Sequence, residues 1–153
     1  MARILILAHA PLASALLAVA RHAFPDCADR VQALDVVADV GPEVTEARAR
    51  ELLALDAEED DSDDVLILTD VFGATPSNVA QRLSDGSRVR AIAGVNVPML
   101  WRAINYGGLP LDEVVSRSMV GGTQGVLAVT STRPQNQAFQ ANAHDPQHHH
   151  HQQ

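Results

Sequence analysis

The chain predicts an α/β fold, an open and mainly parallel sheet of about four strands in the order 2-1-3-4 with helices on both faces. Three observations lead there. Short apolar runs alternate with amphipathic, helix-period segments over most of the sequence. Two of those runs, Ile4–Ala8 and Val65–Thr69, carry almost no polar residue, the pattern of strands covered on both faces. Most runs are followed by Gly- or Pro-marked turns and then a helical pattern, as parallel crossovers require.

The first run, Arg3 to Ala8, ends at His9, and Pro11 suits the first turn of a helix to about Phe24. Leu12, Leu16, Val19 and Ala20 make its apolar face, and Pro25-Asp26 ends it. Val31 to Val37 is the second strand. Pro42 to about Leu55 is a helix with Val44, Ala47, Leu52 and Leu55 on its apolar side. An acidic stretch, Asp56 to Asp64, precedes the third strand, Val65 to Thr69. Thr75-Pro76 supplies an N-cap and a first-turn proline for a helix to about Leu83. Asp85-Gly86 is a turn and Val89 to Ala93 the fourth strand. A helix through Asn105, a break at Gly107 to Pro110 and a helix from Leu111 to about Val120 follow. Gly121-Gly122 then punctuate the chain before a last strand, Gly125 to Thr130, which could join either edge of this sheet or a partner's sheet. Residues 1–130 thus form one domain, and 131–153 a polar, Gln- and His-rich tail expected to be disordered.

Composition excludes several functions. The net charge of -8 argues against a protein that tracks nucleic-acid phosphates. A single cysteine leaves neither a disulfide framework nor a cysteine zinc site, which suits a reducing cytoplasm. No apolar run reaches membrane-helix length, and the start lacks a signal-peptide pattern, so neither membrane insertion nor secretion is expected. The acidic stretch lacks the spacing of a calcium loop and reads as a solvated loop. The run His148 to His151 lies in the terminal tail and implies no structural metal site.

His9 and Asp70 carry the chemistry. Each stands at the tip of a predicted buried strand, and in a 2-1-3-4 sheet the switch point lies between those two strands, where ligands bind. A carboxylate accepting Nδ1–H would fix the imidazole tautomer and leave Nε2 as a nucleophile. Gly73, Ala74 and Thr75, at the start of the next helix, could present N–H groups and a hydroxyl to an oxyanion or phosphoryl group. Rival sites lack parts: there is no dinucleotide fingerprint, P-loop or Gly-x-Ser-x-Gly elbow. A receiver domain would put an aspartate at Asp70, but it needs acidic residues where Ala8-His9 stands and a lysine, and the chain has no lysine.

With His9, the segment Leu68-Thr-Asp-Val-Phe-Gly-Ala-Thr-Pro-Ser-Asn78 and the segment Ile92-Ala-Gly-Val-Asn-Val-Pro-Met-Leu100 in this order, the chain resembles the mannose-type IIA component of the bacterial phosphoenolpyruvate:sugar phosphotransferase system (PTS). The likeness spans residues 2 to 130, and the second segment is its most specific part. It implies a phosphotransferase in which His9 accepts a phosphoryl group from phospho-HPr and passes it to a IIB component, with no cofactor and no metal. Asp70 would orient the ring, and Thr75 stands where the family has a hydroxyl near the phosphoryl group. It further implies a cytoplasmic homodimer in which the last strand adds antiparallel to the partner's sheet. Phe72 stands where the family often has tryptophan, and Ala10-Pro11 where glycine is common. A regulatory phospho-switch acting on partner proteins without transporting sugar would use the same site. The related subunit of dihydroxyacetone kinase shares the fold and the histidine, but Val95-Asn-Val-Pro-Met-Leu100 favours the mannose type.

Overall fold

The computed structural model describes residues 1–55 and 63–130. Most of the predicted acidic loop and the whole tail beyond Thr130, its histidine run included, lie outside the described residues. Four strands, β1 (Arg3–His9), β2 (Val31–Val36), β3 (Val65–Thr69) and β4 (Val89–Ala93), form one sheet in the order β2-β1-β3-β4. All three pairings are parallel. The helices are α1 (Leu12–Ala23), α2 (Pro42–Leu53), α3 (Thr75–Leu83), α4 (Val97–Asn105) and α5 (Leu111–Gln124), with a short 3-10 turn at Pro25–Arg30. The predicted fold class and strand order therefore hold.

Strand alternation divides the core in two. Ile4, Ile6 and Ala8 of β1, with Leu66, Leu68 and Ile92, pack under α1, α4 and α5. Leu5, Leu7, Val65, Ile67 and Val89 face the other way, onto Ala49 and Leu53 of α2 and Val79, Ala80 and Leu83 of α3. Burial on both faces is why β1 and β3 read as unbroken apolar runs. Among the described residues no helix is long and apolar enough to cross a membrane.

In two helices only part of the expected apolar face turns inward. In α1 the buried positions are Ala13, Leu16 and Ala20, while Leu12 and Val19 are exposed. In α2 they are Thr45, Ala49 and Leu53, with Val44 exposed and Leu52 and Leu55 packed at the margin.

The end of the domain also differs from expectation. Gly121 and Gly122 do not break the last helix; α5 runs through both to Gln124. They lie against α4: a Cβ on Gly121 would stand 2.2 Å from Arg102 Cγ, and one on Gly122 2.8 Å from Met99 Cε. Asn96, the N-cap of α4, donates from Nδ2 to the Gly122 carbonyl at 2.9 Å and accepts the Met99 N–H at 2.9 Å. The glycines are therefore contact points between helices. Beyond α5, the stretch from Val126 to Thr130 forms no strand within this chain.

This packing makes a test. Gly122→Leu should cost about 1–3 kcal/mol, because overpacking the α4–α5 contact outweighs the helix propensity gained, about 1 kcal/mol. Urea denaturation of parent and variant measures it; an equal or higher midpoint for the variant would contradict the close approach.

Candidate functional site

The site lies where β1 and β3 end side by side. Their register pairs Leu7 with Thr69, which brings His9 and Asp70, just beyond, to one rim of the sheet. His9 Nδ1 lies 2.6 Å from Asp70 Oδ2, and the His9 backbone N–H donates to the same oxygen at 3.0 Å. Asp70 Oδ1 accepts the Val71 N–H at 2.8 Å. The expected pairing of imidazole and carboxylate is thus formed, and His9 is held at backbone and ring by one side chain.

Exposure is divided unequally between the two. The His9 side chain is 50% exposed and that of Asp70 15%. Desolvation by that burial pushes the Asp70 pKa up, but it is outweighed by the His9 N–H, the His9 ring, the Val71 N–H and the attraction of the imidazole, leaving it below the ordinary 3.8. Asp70 therefore stays ionised at neutral pH and accepts the Nδ1 proton. In the neutral ring the lone pair then falls on Nε2, which no described residue engages.

The turn after Asp70 is closed by Ser77, which sequence reasoning passed over. Gly73, at φ +91°, is in the left-handed region that a glycine enters without strain. Its N–H donates to Ser77 Oγ at 2.9 Å, so Gly73 shapes the turn and is not a free donor. Ala74, with extended backbone, is the N-cap of α3, and Thr75 is the first helical residue. Thr75 is therefore not the cap; the predicted first-turn Pro76 is in place at the second helical position. No described group accepts from the N–H groups of Ala74 and Thr75. On the far side of the turn, the Gly94 and Val95 N–H groups donate to the Thr69 carbonyl at 3.0 and 2.9 Å, tying the loop after β4 to the tip of β3.

A second carboxylate at the rim was also missed. Asp35, near the end of β2, accepts the Ser14 N–H at 3.1 Å and the Ser14 hydroxyl at 2.6 Å. An acidic residue inside the run Val31 to Val37 was the signal available for it. Pro11, exposed, is the N-cap of α1 and not its first helical residue. Phe72 is exposed beside a groove of 180 Å³ that runs between α3 and the edge strand β4. No group of three His, Cys, Asp or Glu side chains able to hold a metal occurs among the described residues. His22, near the end of α1, is exposed.

Fold and site define a doubly wound α/β protein with a carboxylate-bound imidazole at the sheet's switch point. The chain belongs to the family described as PTS system fructose IIA component (EIIA-man), whose sequence profile matches residues 3–119. It is accordingly a phosphocarrier component of a sugar phosphotransferase system. Solved structures agree in fold. The mannose/sorbose-specific IIA subunit from Enterococcus faecalis aligns with a TM-score of 0.73 at 23% identity, covering 84% of this chain and 94% of that one. The phosphotransferase component EIIA from Streptococcus agalactiae gives a TM-score of 0.73 at 20% identity, covering 84% and 97%. The PTS IIA protein associated with the fucose utilization operon of Streptococcus pneumoniae gives 0.62 at 25% identity, covering 83% and 92%. A sequence comparison with curated proteins finds no match.

The pKa direction of Asp70 sets a pH dependence. Its folded value lies below its unfolded one, so its stabilisation is complete above the unfolded value and is lost as pH falls through the folded value. Asp70→Asn should therefore cost about 1.5–3 kcal/mol at neutral pH, the size of a charge-assisted hydrogen bond, and progressively less as the pH falls into the acid range where the carboxyl protonates. Urea denaturation of both proteins across that range checks it; a constant difference would remove the charge from the explanation.

Proposed function

We propose that His9 is the phosphoryl acceptor, taking the group from phospho-HPr on Nε2 and passing it to a IIB component. The observation that carries this reading is the 2.6 Å contact between His9 Nδ1 and Asp70 Oδ2, which leaves Nε2 free on a half-exposed ring. In the forward step the Nε2 lone pair forms a P–N bond as the P–N bond of the donor breaks. The donor imidazole leaves with its electron pair, and no proton need move. The His9 ring gains positive charge as it is phosphorylated, and the ionised Asp70 stabilises that charge at Nδ1–H. Discharge to the acceptor reverses these changes.

The N–H groups of Ala74 and Thr75, with the Thr75 hydroxyl, are the donors for the phosphoryl oxygens in this reading. Gly73 contributes by turning the chain toward them. Transfer needs no metal, because the charge is handled by Asp70 on one side and by the start of α3 on the other. Incubation with enzyme I, HPr and phosphoenolpyruvate should place one acid-labile phosphate on His9 and none on His9→Ala. Label retained by a folded His9→Ala would assign the acceptor elsewhere.

The reading also makes the chain a homodimer. Val126, Leu127 and Val129 are 75%, 77% and 94% exposed, and β4 offers an unpaired outer edge. Adding Gly125 to Thr130 of a partner copy antiparallel to that edge would cover both. The parent should sediment as a dimer, and Leu127→Asp combined with Val129→Asp as a folded monomer. A monomeric parent at micromolar concentration would refute the exchange.

A further inference from the structure

The segment that carries His9 is held from two sides. On the β3 side, Asp70 grips the ring and the backbone N–H of His9. On the β2 side, the Ala10 N–H donates to the Val36 carbonyl at 2.9 Å, and Asp35 grips Ser14 in the first turn of α1. Only Ala10 and Pro11 separate His9 from the start of that helix. The register pairs Ala8 with Asp35 and His9 with Val36, so the two clamps act on neighbouring residues of one short turn.

The Asp35 contact is not an ordinary helix cap. A cap comes from the residue before the helix, and here that residue is Pro11, whose side chain makes no cap bond. Its place is taken by a carboxylate from another strand, 21 residues along the chain from Ser14. Ser14 Oγ also lies 3.1 Å from the Pro11 carbonyl, but it has a single proton, and the 2.6 Å contact assigns that proton to Asp35. The carboxylate also puts negative charge at the positive end of α1, where it takes the third N–H of the helix. Neither helix has an acidic residue in its own first turn, but at the start of α3 no described carboxylate from elsewhere accepts an N–H either.

We propose that Asp35 is a positioning residue for His9. By fixing the first turn of α1 against β2, it holds the His9–Pro11 turn so that the Asp70 bond keeps Nδ1 protonated and Nε2 directed outward. By filling the start of α1, it leaves the start of α3 as the helix end that receives an anion. The transfer part of this inference rests on His9 being the phosphoryl acceptor; the positioning part concerns the free protein.

Two measurements separate those parts. Nitrogen-15 spectra of the His9 ring, taken without any phosphoryl donor, read the tautomer directly. The parent should be in the Nδ1–H form, and Asp35→Ala should populate the other tautomer or exchange between the two. Single-turnover transfer from phospho-HPr should then slow about tenfold or more in Asp35→Ala, with half-saturation by the donor changed less than twofold. Asp35→Asn keeps an acceptor for the Ser14 N–H and should recover most of the rate, which a purely charge-based role would not allow. Ser14→Ala removes only the hydroxyl bond and should give a smaller slowing in the same direction; it serves as the test if Asp35→Ala does not fold. An unchanged tautomer together with an unchanged rate per folded molecule in Asp35→Ala overturns the proposal, whatever happens to its melting temperature. Failure of the parent to take phosphate on His9 would overturn the acceptor assignment, while the tautomer spectra would still decide the positioning role.

Discussion

The parallel pairing of β1 with β3 is the constraint on which the rest of this molecule depends. The two strands are about sixty residues apart in sequence, yet they lie side by side at the centre of the sheet with Leu7 opposite Thr69. They carry the most deeply buried side chains of both cores, so a slip by one residue would turn each apolar set toward the wrong helices. That penalty holds the register firmly. The register in turn puts His9 and Asp70 within hydrogen-bond distance, and the imidazole inherits its precision from the core beneath it.

The rim above that core divides its charges between two helix ends. The start of α1 is occupied by Asp35 through Ser14, while the turn before α3 is closed by Ser77 and leaves the Ala74 and Thr75 N–H groups without an acceptor among the described residues. Asp70, between them, is kept ionised by hydrogen bonds from residues 9 and 71. In the proposed transfer these features act together. One carboxylate supports the cationic ring, the other holds the turn that carries it, and the open helix end receives the phosphoryl oxygens.

The sheet's outer strands have a different task. β2 and β4 lie at its margins, and β4 adjoins the groove beside Phe72. The apolar residues after α5 have no place in the chain's own sheet, although their composition is that of a strand. In the proposed dimer the open edge of a partner's sheet would cover that segment. The proposed exchange would bring that cover close to Phe72 and to the rim that carries His9.

Much of this was legible in the chain itself. The runs at Ile4–Ala8 and Val65–Thr69 specified the two central strands, because burial on both faces permits hardly any polar residue there. His9 and Asp70 were visible as the polar residues that end those runs, and the family is written in the segments that follow Leu68 and Ile92. Local pattern failed where distant contacts outweigh it. Gly121 and Gly122 read as a break because the side chains of Met99 and Arg102, which would crowd a Cβ there, belong to another helix. Asp35 and Ser14 are 21 residues apart, and their contact exists only once β2 lies beside β1. The sequence by itself thus marked His9 and Asp70 as the candidate site residues, through the polarity changes at its strand ends. Tertiary structure decided which helix end is occupied and which N–H groups remain open, because those bonds form between elements that meet only in the assembled sheet.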